Sequence, residues 1–203
     1  MLVTALSRNN GLHPGAGLQT RPLSPALGVA VRGIDLAQRQ PLETLRELRR
    51  LLYENCVRLV PGQSLSEAQQ VVFGEYVGAL PDGEMYFHSD RCYVERPCLC
   101  TMLYGIAHPT SGGNTLFSNQ YKAYAALPAA MQQRLESLKA VHAYEPGYDS
   151  LNAVMLTRMT LSSSALTAAH PMVITHPATG RKALYVNRLM TAYIVGMPRE
   201  ASA

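Results

Sequence analysis

The sequence has no apolar run that approaches the roughly 20 residues needed to cross a membrane. Its opening stretch, Met1 to Leu6, is also too short an apolar run for a secretory signal peptide, so we expect a cytoplasmic location. Charged residues make up only 16% of the chain, and a net charge of +4 is too small to indicate nucleic-acid binding. We therefore expect neither membrane nor nucleic-acid partners, and 203 residues suffice for a globular core.

Cysteine is sparse as well, with four residues at positions 56, 92, 98 and 100. The spacing of Cys98 and Cys100 lacks the two-residue gap of a zinc knuckle, and no matching pair occurs elsewhere. The pattern favours reduced, buried thiols over a structural zinc site.

The most informative feature that is present is the triplet His88-Ser89-Asp90. The run from Met85 to Tyr93 has the pattern of a strand, in which residues two apart point to the same face. His88 and Asp90 would then present an imidazole and a carboxylate side by side. Together with a second histidine from elsewhere, they would complete the two-His-one-carboxylate face that holds non-haem Fe(II). Cys92 would share that face, but a thiolate ligand would favour zinc.

The chain downstream of the triplet reads as two strands joined by a turn. Residues 98–106 form a mostly apolar run, which is typical of a buried strand. Gly112-Gly113 marks a turn that returns the chain into a short strand carrying Thr115.

Several short strands and a few helices are predicted along the rest of the chain. Residues 1–20 read as a loose tail, and residues 145–169 as a long loop of the kind that forms a lid or binding loop. Helices are predicted at residues 42–52, at 66–80 behind a capping box, and at 119–139 with a break at Pro128. Strands are predicted at residues 23–36, 57–60, 140–144, 172–175 and 183–187. The resulting fold class is α+β, mainly β: a jelly roll with flanking helices.

The histidines outside the triplet are not expected to be metal ligands. His142 follows a helix in a predicted strand and reads as a core or rim residue. His170 and His176 each precede a proline, which favours extended backbone.

The order and spacing of these segments resemble the Fe(II)- and 2-oxoglutarate-dependent dioxygenases of the taurine catabolism (TauD/TfdA) type. The resemblance covers residues 22–198, nearly the whole chain. The matching segments are His88-Ser89-Asp90, Gly112 to Phe117, Ala123-Tyr124 with Leu127, and residues 25–36, 57–63, 73–74 and 176–187.

This resemblance implies a double-stranded β-helix, or cupin-like, fold and a role for each matched residue. His88 and Asp90 would bind Fe(II), and Thr115 would donate its hydroxyl to the far carboxylate of 2-oxoglutarate. Glu84, Tyr86 and Asn187 are expected to face the substrate pocket. The implied reaction uses O2 and 2-oxoglutarate to hydroxylate a small organic substrate, with an anionic, sulfonate-like compound as one candidate.

The sequence also departs from the family pattern. Phe87 stands where the family often has Trp. Family members continue past residue 198 into a distal iron-binding His and an Arg that holds 2-oxoglutarate, and neither motif appears here. We therefore expect residues 21–203 to form one domain without its C-terminal strands, and this truncated chain to be impaired as an enzyme.

Two alternatives from other classes stay open at this point. One is a non-catalytic jelly-roll fragment or pseudoenzyme that binds a small acid or a partner chain. The other is a zinc-binding, cupin-like protein that uses His88, Asp90 and Cys92. A homo-oligomer is compatible with each of these.

Overall fold

The chain divides into two compact units in the computed structural model, which describes residues 2–7, 17–73, 87–106, 110–112, 114–144 and 165–202. Unit 1 comprises Met1–Gly78 and Leu99–Thr115, and unit 2 comprises Ala79–Cys98 and Leu116–Ala203. Within the described ranges, no helix is long and apolar enough to span a membrane. The single domain expected over residues 21–203 stays a prediction.

Unit 1 is built on a five-stranded sheet. Its strands are β1 (Leu2–Ser7), β2 (Gln19–Pro22), β3 (Val29–Arg32), β4 (Val57–Pro61) and β5 (Cys100–Gly105), and its helices are α1 (Leu42–Asn55) and α2 (Glu67–Phe73). The strand order is β2-β3-β4-β1-β5. β2 pairs with β3 in antiparallel fashion, and the other neighbours are parallel. The predicted N-terminal hairpin is therefore β2–β3, and its first strand begins before residue 23.

Helix α1 confirms the helix predicted from leucine spacing. Leucines at helical intervals place Leu48, Leu51 and Leu52 in the interior, where each is at most 6% exposed. On the opposite face, the Arg50 guanidinium pairs with Glu47 and Glu54 in solvent. Burial of the leucines joins the helix to a core that includes Val31 and Val60, both fully buried in the sheet.

Strand β1 corrects the expectation that residues 1–20 form a loose tail. Residues 2–7 pair in register with β4 on one side and with β5 on the other. The run Leu2 to Leu6 is short and largely apolar, which also fits a central strand of a parallel sheet. Its partners lie about 50 and 100 residues further along the chain, so no local signal identified them.

Helix α2 begins with the predicted capping box. The Gln69 backbone N–H donates to Ser66 Oγ at 3.3 Å, and the Ser66 N–H donates to Gln69 Oε1 at 2.8 Å. The predicted continuation of this helix beyond Phe73 falls outside the described residues.

Unit 2 contains two small antiparallel sheets. β10 (Thr191–Ile194), β6 (Lys139–Tyr144) and β7 (Leu166–Pro171) form a three-stranded sheet in that order, and β8 (Val173–Thr175) pairs with β9 (Lys182–Leu184). The helices are α3 (Gln120–Ala125), α4 (Ala129–Glu136) and α5 (Arg199–Ser202). β7 begins within the loop predicted for residues 145–169, and residues 145–164 of that loop lie outside the described part. β6 is central and carries the buried residues Ala140 to Ala143.

The helical pair predicted for residues 119–139 is confirmed. Asn119 caps α3 by accepting the Tyr121 and Lys122 N–H groups at 3.1 Å. Pro128 stands at the N-cap of α4, where a missing N–H is no cost. The short strand predicted at Thr115 is not formed. Residues 114–119 have no regular structure and lead directly into the Asn119 cap.

Candidate functional site

The side chains of His88 and Asp90 come together, with His88 Nε2 at 3.1 Å from Asp90 Oδ1. Both residues belong to unit 2, and their side chains are 14% and 17% exposed. The distance fits a hydrogen bond in which the imidazole Nε2–H donates to the carboxylate. The predicted proximity of an imidazole and a carboxylate is therefore observed.

The predicted reason for that proximity was wrong, because the triplet lies in a turn and not in a strand. The Cys92 N–H donates to the Ser89 carbonyl at 3.3 Å, and the Val94 N–H donates to the Arg91 carbonyl at 3.2 Å. Arg91 has φ of +54°, which is the left-handed conformation that a type II turn requires at its third position. Polar residues at positions 89–91 favour such a turn over a strand. The turn of residues 89–94 brings the two side chains to one side.

Cys92 does not share a surface with the pair, contrary to the strand-based prediction. Its thiol is 0% exposed and belongs to an apolar cluster with Tyr185, Leu189 and Met190. Burial raises the pKa of Cys92 to about 11. Across the described residues, no three His, Cys, Asp or Glu side chains form a group able to hold a metal ion. The zinc site predicted as an alternative from His88, Asp90 and Cys92 is thus not formed.

All four cysteines are free thiols, as predicted, but the predicted burial holds for only two of them. Cys56 and Cys92 are buried, whereas Cys98 and Cys100 are half-buried.

Asn187 lies in the same unit, and its side chain is engaged within its own turn. Its Oδ1 accepts the Met190 N–H at 2.7 Å, and its Nδ2 lies 3.8 Å from Cys92 Sγ. The predicted contact of Asn187 with substrate stays a prediction.

Of the remaining predicted site residues, the structure describes only Thr115. Thr115 is exposed and belongs to unit 1, whereas the His88–Asp90 pair belongs to unit 2. Glu84 and Tyr86, predicted to contact substrate, lie outside the described residues.

A buried histidine cluster in unit 2 was only partly foreseen. His142, predicted as a core or rim residue, is 0% exposed in β6, and its ring lies 5.8 Å from His170 and 5.5 Å from Tyr185, between centroids. Burial and the neighbouring His170 lower the pKa of His142 to about 4. The ring is therefore neutral near pH 7.

Replacing His142 by glutamine should remove a loss of stability that the wild type shows as the pH falls from 6.5 to about 4. Since the pKa of His142 falls from 6.5 when unfolded to about 4 when folded, the unfolded chain binds more protons between these values. Protonation of His142 should therefore lower the free energy of unfolding by about 1.4 kcal/mol per pH unit as the pH falls through this window. Urea unfolding of both proteins at several pH values measures the difference.

The matched control is Val141→Ala, the preceding residue in β6. It should lower the free energy of unfolding by a similar amount at every pH, because valine does not titrate. A constant difference between wild type and His142→Gln from pH 7 to pH 4 would contradict the expectation.

More than half of the chain, residues 79–203, matches the family described as taurine catabolism dioxygenase TauD, TfdA family. The chain belongs to this family. The match includes the His88–Asp90 pair and the whole Asn187 turn.

Relatives of known description extend the likeness over most of the chain. An alpha-ketoglutarate-dependent 2,4-dichlorophenoxyacetate dioxygenase of Cupriavidus pinatubonensis is 28% identical over 223 residues, covering 87% of this chain and 75% of the relative. An alpha-ketoglutarate-dependent sulfate ester dioxygenase of Pseudomonas putida is 25% identical over 202 residues, covering 85% and 67%. Two fungal relatives, 36% identical over 117 residues, are matched over only 29% and 31% of their own length.

The fold class is confirmed by solved structures. A taurine dioxygenase from Burkholderia xenovorans superposes with a TM-score of 0.71 at 24% identity, covering 92% of this chain and 70% of that one. The mainly β, cupin-like fold with flanking helices is thus the fold of this chain. Dioxygenases of the family use Fe(II) and 2-oxoglutarate, in agreement with the predicted cofactors.

The described residues fit two positions of an iron site. Neighbouring ligands of an octahedral ion with bonds of about 2.1 Å lie about 3.0 Å apart. His88 Nε2 and Asp90 Oδ1 lie 3.1 Å apart and supply the nitrogen and oxygen donors that Fe(II) accepts. A divalent cation bound by this pair would take the place of the hydrogen on Nε2, and the imidazole would then carry its proton on Nδ1.

Proposed function

We propose that this chain provides the catalytic metal-binding part of an Fe(II)- and 2-oxoglutarate-dependent dioxygenase. The observation that supports the proposal most directly is the facing pair of His88 Nε2 and Asp90 Oδ1 at 3.1 Å. The pair lies within the segment that matches the family. His88 and Asp90 would supply two protein ligands of the facial triad.

Bound iron supplies the activation of O2 that the side chains cannot perform themselves. The contribution of the protein is to hold His88 and Asp90 at fixed spacing and to keep them largely away from bulk water. The 89–94 turn provides the spacing, and the low exposure of both side chains provides the shielding. Thr115 stays the proposed hydroxyl donor to the far carboxylate of 2-oxoglutarate.

The proposed substrates are small organic anions, which would be hydroxylated. The relatives named above act, by their descriptions, on a sulfate ester and on 2,4-dichlorophenoxyacetate. An anionic group on a small organic body is common to both. Glu84, Tyr86 and Asn187 stay the proposed substrate contacts.

The test is anaerobic titration of the purified chain with Fe(II) and 2-oxoglutarate, followed by exposure to O2. We expect an absorption band that needs both additions, and slow succinate formation, in line with the impaired activity expected of this chain, that rises with an accepted substrate. The panel should contain an alkyl sulfate, an aminoalkyl sulfonate and an aryloxyacetate. Absence of the band would contradict the metal site, and a band without succinate from any of the three would favour the non-catalytic alternative.

A further inference from the structure

Asn187 is the centre of a small hydrogen-bonded junction in unit 2. Its Oδ1 accepts the Met190 N–H at 2.7 Å, and its backbone N–H donates to Thr191 Oγ1 at 3.0 Å. The Thr191 N–H donates back to the Asn187 carbonyl at 3.2 Å. The side-chain amide is thereby held in one orientation, with Nδ2 directed at Cys92 Sγ at 3.8 Å.

Cys92 connects this junction to the turn that carries the His88–Asp90 pair. Its thiol accepts from Asn187 Nδ2 and donates to Met190 Sδ at 3.7 Å, while its backbone N–H closes the turn on the Ser89 carbonyl. The thiol is fully buried, so its position is set by these neighbours. Hydrogen bonds to sulfur are weak, and their contribution here is orientation more than stability.

On its other side the junction reaches the interior of the three-stranded sheet. Thr191 Oγ1, which accepts the Asn187 N–H, lies 3.3 Å from Nδ1 of His142. Because His142 lies on the central strand and is fully buried, it gives the junction a rigid base. A continuous series of contacts therefore runs from the sheet interior through Thr191, Asn187 and Cys92 to Ser89.

We propose that Asn187 is a positioning residue that fixes the spacing of His88 and Asp90 through the Cys92 thiol. Asn187 anchors the sulfur, the same cysteine closes the turn through its N–H, and that turn carries Asp90. Without the amide donor, the turn would relax and the two donors would no longer hold their 3.1 Å spacing. The functional consequence, tighter metal binding, rests on the proposed iron site.

The informative substitution is Asn187→Ser in the full chain. A serine hydroxyl at this position can still accept the Met190 N–H but is too short to reach Cys92. Manganese(II), measured by the loss of its free-ion paramagnetic resonance signal, is the probe. Groups that hydrogen-bond a metal ligand directly contribute tenfold to a hundredfold in affinity, and because Asn187 acts through Cys92 we expect the Kd to rise by about tenfold. The melting temperature should change little.

Two further variants distinguish an effect that passes from Asn187 through Cys92 from a general loss of structure. Arg188→Ala changes the exposed next residue and should leave the Kd at the wild-type value. Cys92→Ala removes the same link from its other end, so adding it to Asn187→Ser should weaken binding no further than the larger single effect. Fully additive losses, or an unchanged Kd in Asn187→Ser, would overturn the proposal.

Amide hydrogen exchange of the metal-free chain tests the positioning role even if no metal binds. The Cys92 and Val94 amides should lose protection in Asn187→Ser, while those of β6 keep theirs. Unchanged protection of residues 92–94 overturns the inference without bearing on the iron site. Failure of the wild-type chain to bind Mn(II) overturns the proposed iron site, and altered exchange in the variant would still support the positioning of the turn.

Discussion

Replacing His88 by alanine should weaken binding of Mn(II) or Fe(II) by roughly 100-fold or more. Groups that only support a metal ligand already contribute up to about that factor, so loss of a ligand itself should cost at least as much. Asp90→Asn should have a comparable effect, because it keeps the size of the side chain and removes the anionic donor. Titration of the metal-free protein, followed by paramagnetic resonance for Mn(II), measures both Kd values.

The control for His88 is another histidine of the same unit. His176 lies in the turn between β8 and β9, where its ring packs edge-on to Tyr121 at 6.5 Å. His176→Gln should leave metal binding within a factor of about two, because its imidazole is not part of the facing pair. Equal affinity of wild type and His88→Ala would exclude the pair as the metal site, and equal loss in all three variants would indicate general unfolding.

Local sequence patterns predicted the helices because the signals for a helix lie within one or two turns. The leucine spacing in α1, the Ser66–Gln69 box and the proline at the start of α4 each act over a few residues. Strand β1 could not be predicted in the same way, since its neighbours β4 and β5 are distant in the chain. An apolar run without a partner in view is compatible with a tail, a leader or a strand.

At the candidate site, the sequence predicted the residue pair correctly but not the local backbone conformation. The pairing of His88 and Asp90 was predicted on the assumption of a strand, but two successive turns produce it. The left-handed conformation of Arg91 could not be foreseen, because non-glycine residues adopt it only rarely. Cys92, the next residue, is held by buried side-chain contacts. These contacts join Cys92 to Asn187, which lies 95 positions later in the chain, and to Met190, which lies 98 positions later. A local sequence pattern therefore contains no sign of them.

The second large effect concerns Gln63, a polar residue that is 2% exposed in unit 1. Its Oε1 accepts the Leu36 N–H at 2.7 Å, and its Nε2 donates to the carbonyls of Ile34 at 2.9 Å and Pro61 at 3.2 Å. The amide thus satisfies three backbone groups in the interior, next to the core that includes Leu36 and Leu65. No water can replace these bonds without opening that core.

Gln63→Met should therefore lower the free energy of unfolding by about 3 kcal/mol or more. Methionine has nearly the same volume, so the loss comes from the unsatisfied backbone groups, each of which costs about 1–3 kcal/mol when buried. Urea unfolding followed by circular dichroism measures it. The matched control is Gln40→Met, since the Gln40 amide also donates to two carbonyls, those of Asp35 and Gln38, through solvent-exposed bonds.

Because water can take over the exposed bonds of Gln40, its replacement should cost less than about 0.5 kcal/mol. The chemical change is the same in both variants, whereas Gln63 makes three buried bonds and Gln40 makes two exposed ones. Similar losses in the two variants would show that burial of the Gln63 amide is not what makes it stabilising. A loss at Gln63 alone would confirm that the connection between β3 and α1 is held to the end of β4 by one side chain, which bonds Ile34 and Leu36 on one side and Pro61 on the other.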